Sequence, residues 1–360
     1  MGPAPPLEIY GWSPFFAEHF APYALQGLVA GRICRDHQHL YRVYTEQGEA
    51  VASVAGRVRH RASGAGEFPV VGDWVALRLL PRERRAVIQA VLPRLSKFSR
   101  KVAGSVTEEQ VVAANIDTIF LTQALDDDFN LRRIERYLLL AWESGARPVV
   151  ILNKADLCDR VADLVRQVEE IAPGVPVHAT SARLRQGFDQ LSAYLEPGRT
   201  VALLGSSGVG KSTLINRLLG RDFLRTREVR SEHSRGRHTT THRELVVLPS
   251  GALVIDTPGL RELQLWEVAG ALESAFPDIE ALAVGCHFRD CRHEGEPRCA
   301  VRQAVADGAF PSERLDSYLK LKVESRYLAE RQDKLAQIAK KRKWRTIHKS
   351  MRSLKPKDGG

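Results

Sequence analysis

The chain has 360 residues, 44% of them hydrophobic, and a formal net charge of +10. That length and apolar content favour two or three globular domains over one. Charges interrupt every apolar run, including Leu138 to Leu152, before the ~20 residues that cross a bilayer, so no membrane partner is expected. The first residues show no basic segment followed by an apolar one, and Pro6 stands where a myristoylation signal takes Ser or Thr, so a cytoplasmic location is expected. The positive excess suggests a polyanionic partner, subject to where along the chain it sits.

Residues 1–26 form an extension carrying Trp12, Phe15 and Phe16. From 27 to 101, short runs rich in valine and aromatics, Leu40 to Tyr44, Ala50 to Val54, Trp74 to Leu79 and Ala86 to Val91, are separated by polar turns. This spacing predicts a small antiparallel barrel or sandwich. From 109 to 269 the rhythm becomes strand-then-helix. Strands are predicted at Thr118 to Thr122, Pro148 to Leu152, Val175 to His178 and Val201 to Leu204, which indicates parallel α/β architecture. A helix capped by Asn130 and ended near Gly145 carries Leu131, Ile134, Tyr137, Leu138 and Ala141 on one face. Glu244 to Leu248 and Ala252 to Ile255 read as a hairpin leading into Asp256. Residues 270–354 hold a cysteine cluster and a helical pattern from Pro311 to about Ile347. Residues 355–360 are expected to be disordered.

Gly205-Ser206-Ser207-Gly208-Val209-Gly210-Lys211-Ser212 follows a predicted strand and opens a predicted helix at Thr213. This is the context of a phosphate-binding loop, whose glycines turn backbone N–H groups toward phosphate oxygens. Lys211 is expected to bridge the β- and γ-phosphates and the Ser212 hydroxyl to hold Mg²⁺, with Thr213 completing the contacts. Asn153-Lys154-Ala155-Asp156 names the base. A carboxylate at Asp156 accepts from the guanine ring N–H and its exocyclic amine, whereas adenine presents a lone pair at the ring position. Asn153 would orient the loop, the Lys154 stem would cover the base, and Ser181 and Ala182 would present backbone N–H to its carbonyl.

Asp256-Thr257-Pro258-Gly259 ends a strand, so Asp256 is expected at Mg²⁺ and the Gly259 N–H at the γ-phosphate. In the polar loop Arg235 to Thr241, one threonine should coordinate magnesium, Thr240 being favoured over Thr239. Leu260 stands where Ras-like enzymes use a Gln to place the attacking water. The catalytic helper must then come from elsewhere, and His238 is the in-chain candidate beside Lys211 and Thr240. The guanine reader precedes the phosphate loop, opposite to the Ras-like order, which is a circular permutation.

Of five cysteines, three crowd into Cys286-x4-Cys291-x-His293-x5-Cys299, four N/S ligands within fourteen residues. That set suits one closed structural Zn²⁺ site, with His287 a rival ligand. From Arg326 to Lys357 twelve Lys or Arg stand against two acidic residues, with Trp344 among them, a pattern suited to nucleic-acid contact.

Together these motifs, with Ala113-Ala114-Asn115-Ile116-Asp117 and Gly236 to Thr240, resemble the circularly permuted, ribosome small-subunit-dependent GTPases of the RsgA/YjeQ family. The resemblance covers nearly the whole chain, the extension before Gly27 being the visible departure. It implies a multidomain α/β protein: an N-terminal OB-fold β-barrel, a circularly permuted Ras-like P-loop GTPase domain and a C-terminal zinc-binding α-helical domain. It further implies a monomer that hydrolyses GTP, binds the 30S ribosomal subunit and its 16S rRNA late in maturation, is stimulated by that subunit, and uses His238 as the switch histidine. A P-loop kinase or ATPase, a zinc-dependent RNA-binding module, and a permuted GTPase acting on the large subunit are the alternatives.

Overall fold

The computed structural model describes residues 6–37, 40–61, 64–80, 85–101, 109–221, 243–256, 272, 275–323 and 326. Five strands close an N-terminal barrel: β1 (Val29–His37), β2 (Leu40–Thr45), β3 (Gly48–Val54), β4 (Trp74–Leu80) and β5 (Arg85–Val91), in the order β1-β2-β3-β5-β4 with β4 returning to β1. The barrel is not purely antiparallel, as the sequence pattern suggested. β3 and β5 run parallel, Val51 opposite Arg85, because the chain crosses over through β4 instead of turning back in a hairpin.

β1 went unread in the sequence because a charge interrupts it. Arg32 is 1% exposed at its centre. Its guanidinium donates to three backbone carbonyls, those of Tyr10, Gly72 (3.2 Å) and Asn115 (2.8 Å), and burial lowers its pKa to about 10, leaving it charged at neutral pH. One side chain thereby ties the N-terminal extension, the barrel and the entry to the next domain. The extension forms a 3₁₀ turn (Leu7–Tyr10) and helix α1 (Pro14–Ala24), and it seats Trp12 and Phe16 on Trp74 with ring centroids 4.6 and 5.7 Å away.

After a short ribbon of β6 (Lys97–Lys101) and β7 (Glu109–Ala114), also unread in the sequence, comes the nucleotide-type sheet. Its strands are β8 (Thr118–Ala124), β9 (Arg147–Asn153), β10 (Val177–Ala179), β11 (Thr200–Leu204), β12 (Arg243–Val247) and β13 (Leu253–Asp256), in the order β10-β9-β8-β11-β13-β12. β8 and β11 are buried throughout, as expected of parallel strands covered on both faces. Helix α3 (Leu131–Ser144) starts where Asn130 Oδ1 accepts from Arg133 N at 3.1 Å and stops at left-handed Gly145. The order reverses at β8/β11, and ligands of such sheets bind beyond the carboxyl ends of the strands at this point.

β12 also pairs with β1, Arg35 opposite Glu244, and the two side chains form an ion pair at 2.7 Å. Barrel and nucleotide sheet are therefore one continuous eleven-stranded surface. At the other end, helices Pro277–Ala283 and Ala300–Ala306 and a helical stretch over 312–323 carry the cysteine cluster. Arg314 clasps them to α3: it donates to Glu135 Oε1 at 3.0 Å and to both Asp278 oxygens, at 2.7 and 2.8 Å. The expected continuation of that helix toward Ile347, the basic segment with Trp344, and residues 355–360 lie outside the described residues.

Candidate nucleotide site

The phosphate-type loop runs from the end of β11 into helix α5 (Lys211–Leu219). Two of its glycines are required by geometry. A Cβ on Gly205 would stand 2.2 Å from the Thr122 carbonyl oxygen, and Gly210, at φ 98°, would place one 2.2 Å from Asn153 Nδ2. Lys211, 8% exposed, curls over its own loop, its ammonium donating to the carbonyls of Gly205 (2.7 Å) and Ser206 (2.5 Å). Val209 is buried, Ser207 and Gly208 face outward, and Ser212 and Thr213 are half-buried in the first turn of α5. A glycine loop, the helix N-terminus that follows it and the Lys211 cation thus stand together, a combination suited to phosphates.

Asn153, the last residue of β9, is 2% exposed and bonds to both neighbouring loops. Its Nδ2 donates to the Val209 carbonyl at 2.8 Å, and its Oδ1 accepts from the Ala182 N–H at 3.0 Å and the Thr180 hydroxyl at 3.4 Å. These contacts span 56 and 29 residues of chain, so the side chain joins three segments remote in sequence. Lys154 takes a left-handed backbone, φ 64°, and its ammonium reaches Asp126 at 2.8 Å. Asp156 is half-buried, and its carboxylate forms no hydrogen bond or ion pair among the described residues. Ser181 is braced by a two-way backbone bridge to Gln186, and Arg217 of α5 donates to the Ala182 carbonyl at 3.1 Å.

The structure therefore brings Asn153, Lys154, Asp156, Ser181, Ala182 and Gly205 to Thr213 to one edge of the sheet. Asp256 ends β13, which runs parallel beside β11, so it leaves the sheet at the same edge. His238, Thr240 and Gly259 lie outside the described residues. Sequence reasoning missed Thr180, Arg217 and the loop holding Asp126 and Asp128. Only the acidic run Asp126-Asp127-Asp128 after a predicted strand hinted at the last of these.

Cys286, Cys291, His293 and Cys299 converge, their ligand atoms all within 4.8 Å of one another. The Cys286–Cys299 sulfurs are 3.8 Å apart, and His293 Nδ1 lies 3.6 and 3.3 Å from them. Sulfur and nitrogen ligands on a tetrahedral zinc stand about 3.5–3.8 Å from each other, so the donor set fits that ion. Burial, with Lys322 nearby, lowers the His293 pKa and favours the neutral imidazole that metal binding needs. The rival, His287, is exposed against Phe288. A left-handed backbone at His293, φ 64°, accompanies the turn of its ring into the cluster.

A family model for RsgA GTPases matches residues 91–266. The small ribosomal subunit biogenesis GTPase RsgA of Opitutus terrae is 46% identical over 98% of this chain and 99% of its own length, an alignment that takes in most of the segment before Gly27. A second relative of that description, RsgA 2 of Lactiplantibacillus plantarum, is 50% identical over 84% of each chain. Among solved structures, YjeQ from Thermotoga maritima superposes with a TM-score of 0.62 at 29% identity, covering 83% of this chain and 98% of that one. YloQ, described as a circularly permuted GTPase, gives 0.59 at 25% identity, covering 83% and 95%. With the permuted order of motifs, the closed barrel and the Cys₃His cluster all in place, the chain belongs to the RsgA GTPase family.

Proposed function

We propose that this GTPase acts in the biogenesis of the small ribosomal subunit, binding the 30S particle through its rRNA in the GTP state and leaving after hydrolysis to GDP and phosphate. The reading rests on one observation above all: the Asn153 amide, which bonds at once to the phosphate loop and to the Ser181-Ala182 loop. In this reading Asp156 selects guanine, Lys154 and the Ser181 and Ala182 loop frame the base, and residues 205–213 with Gly259 hold the phosphates. Ser212, Asp256 and Thr240 would hold magnesium, which supplies charge neutralisation at the phosphates. A zinc ion on Cys286, Cys291, His293 and Cys299 would tie together a segment with few core residues of its own.

Hydrolysis is slow in isolation because Leu260 cannot orient water. Docking on the subunit brings His238 to serve the attacking water. The basic segment around Lys340 to Arg345 supplies phosphate contacts and Trp344 a stacking face for an unpaired base. The names of the relatives support the subunit as partner.

The test is GTP turnover by the purified protein with and without isolated 30S subunits over a salt series. A rate increase that fades steeply with ionic strength is expected, and His238→Ala should abolish the increase while leaving nucleotide binding intact. No increase at low salt overturns the partner. Hydrolysis of ATP as readily as GTP overturns the base assignment.

A further inference from the structure

The loop after β8, residues 125–130, belongs to none of these motifs, yet the sheet order sets it between the loops that follow β9 and β11. Its side chains reach both. Asp126 Oδ2 accepts from Lys154 Nζ at 2.8 Å, and Asp128 Oδ2 accepts from the Ser206 hydroxyl at 3.0 Å. Arg133, in the first turn of α3, donates to the same Ser206 oxygen at 3.1 Å and forks onto the Asp128 carboxylate at 2.5 and 3.0 Å. The loop is stiff in its own right. Asp126 Oδ1 accepts from the Asp128 N–H at 3.1 Å, and Gln123 Nε2 donates to the Asp128 carbonyl at 2.7 Å.

A local ion pair that steadies the start of α3 needs only Asp128 and Arg133, five residues apart. It has no use for Ser206, which lies 78 residues beyond Asp128 and whose hydroxyl bonds to both. The Arg133 hydrogen bonds hold the Asp128 carboxyl below the usual carboxylate range, so the clasp stays charged through the neutral region.

We propose that Asp126, Asp128 and Arg133 are positioning residues for the nucleotide: one strut holds the phosphate loop through Ser206 and the guanine loop through Lys154 before nucleotide arrives. The inference rests on the nucleotide reading of the site. A loop already held in its binding conformation loses less entropy on binding, so the strut raises affinity without touching the ligand. Arg133 works through Ser206 and not on the γ-phosphate, so GDP and GTP benefit alike.

Full-length wild type, Arg133→Gln, Asp128→Asn, Ser206→Ala, Ser206→Thr and the double variant Arg133→Gln/Ser206→Ala are titrated with fluorescent methylanthraniloyl GDP and a non-hydrolysable GTP analogue. Thermal unfolding of the nucleotide-free proteins is followed alongside. The first three single variants should weaken both nucleotides by about 5- to 20-fold, the scale of one charge-assisted bond. Ser206→Thr, which keeps the hydroxyl, should bind within about threefold of wild type. The double variant should fall within about twofold of the worse single, because both changes remove one contact. Arg166→Gln, which breaks an exposed pair with Asp163 on helix α4 (Val161–Ile171), should change nothing.

Unchanged affinity with a lowered unfolding temperature would reduce the clasp to a helix cap and overturn the proposal. So would a loss confined to the GTP analogue, which would make Arg133 a γ-phosphate contact, or losses that multiply in the double variant. If Arg133→Gln does not fold, the contrast between Ser206→Ala and Ser206→Thr decides. Wild type failing to bind guanine nucleotide would remove the nucleotide reading itself, whereas binding by wild type and variants alike would remove only the strut.

Discussion

Replacing Asn153 with Ala removes a side chain that bonds to both neighbouring loops of the site. The truncation strands the Val209 carbonyl and the Ala182 N–H, which lie on residues only 1% and 3% exposed. A buried group left without its partner costs about 1–3 kcal/mol, so the pair costs about 2–6 kcal/mol, reduced where water enters the gap. In the proposed nucleotide reading both loops face the same ligand, so the loss should appear in nucleotide affinity. Taking about 2–4 kcal/mol, GDP should bind roughly 30- to 1000-fold more weakly at 1.4 kcal/mol per tenfold. Equilibrium titration with fluorescent GDP measures this directly, and an affinity within threefold of wild type would refute the argument. Asn153→Asp sharpens it. An aspartate keeps the acceptor for Ala182 but turns an oxygen toward the Val209 carbonyl, and only its protonated form can donate there. Its affinity should therefore rise as pH falls from 8 to 6, whereas a flat profile would show that the Val209 carbonyl does not depend on a donor at position 153.

Phe16, 2% exposed beneath Trp12 and Trp74, should cost about 3–5 kcal/mol as Phe16→Ala, read as a lower denaturation midpoint; an unchanged midpoint would mean the extension is not part of the barrel's core. Arg314→Met leaves the Glu135 carboxylate, 4% exposed, without its cation and should destabilise by about 3–5 kcal/mol, with part regained in the double variant with Glu135→Gln. Equal stability of the single and double variants would show that the pair is not coupled. The Glu296 carboxylate accepts N–H bonds from Arg292, Glu294 and Gly295 at 2.8 to 3.1 Å, and these backbone bonds, Gly295's foremost, depress its pKa to about 2 from 4.5. Its contribution to the order of the cysteine loop is thus complete above pH 4.5 and is lost as pH falls toward about 2. An NMR titration of its side chain with a midpoint near 4.5 would disprove the bonds.

Much of the chemistry was legible in the sequence because it depends on residues close together along the chain. Gly205 to Ser212 between a strand and a helix, Asn153 to Asp156 at a strand end, the Asn130 cap and the Cys₃His spacing all act over a few positions, where backbone geometry alone restricts the outcome. The buried strands β8 and β11 were readable for a related reason: a parallel strand covered on both faces is a continuous apolar run.

What escaped the sequence depended on which distant segments meet. Arg32 reads as a break in a strand until the carbonyls of Tyr10, Gly72 and Asn115 are seen to satisfy it. His293, preferred over its rival His287 from spacing alone, does enter the cluster, and a left-handed backbone accompanies it there. The pairing of β12 with β1 and the placing of residues 125–130 between the two nucleotide loops follow from strand order alone. Composition, motif and spacing were enough to point to a guanine-nucleotide enzyme and to a Cys₃His cluster whose donors suit a zinc ion. Which side chains hold those motifs against one another was decided only by the tertiary structure, because hydrogen-bond partners tens of residues apart leave no periodicity in a sequence, and only the order of strands in a sheet brings them within 3 Å.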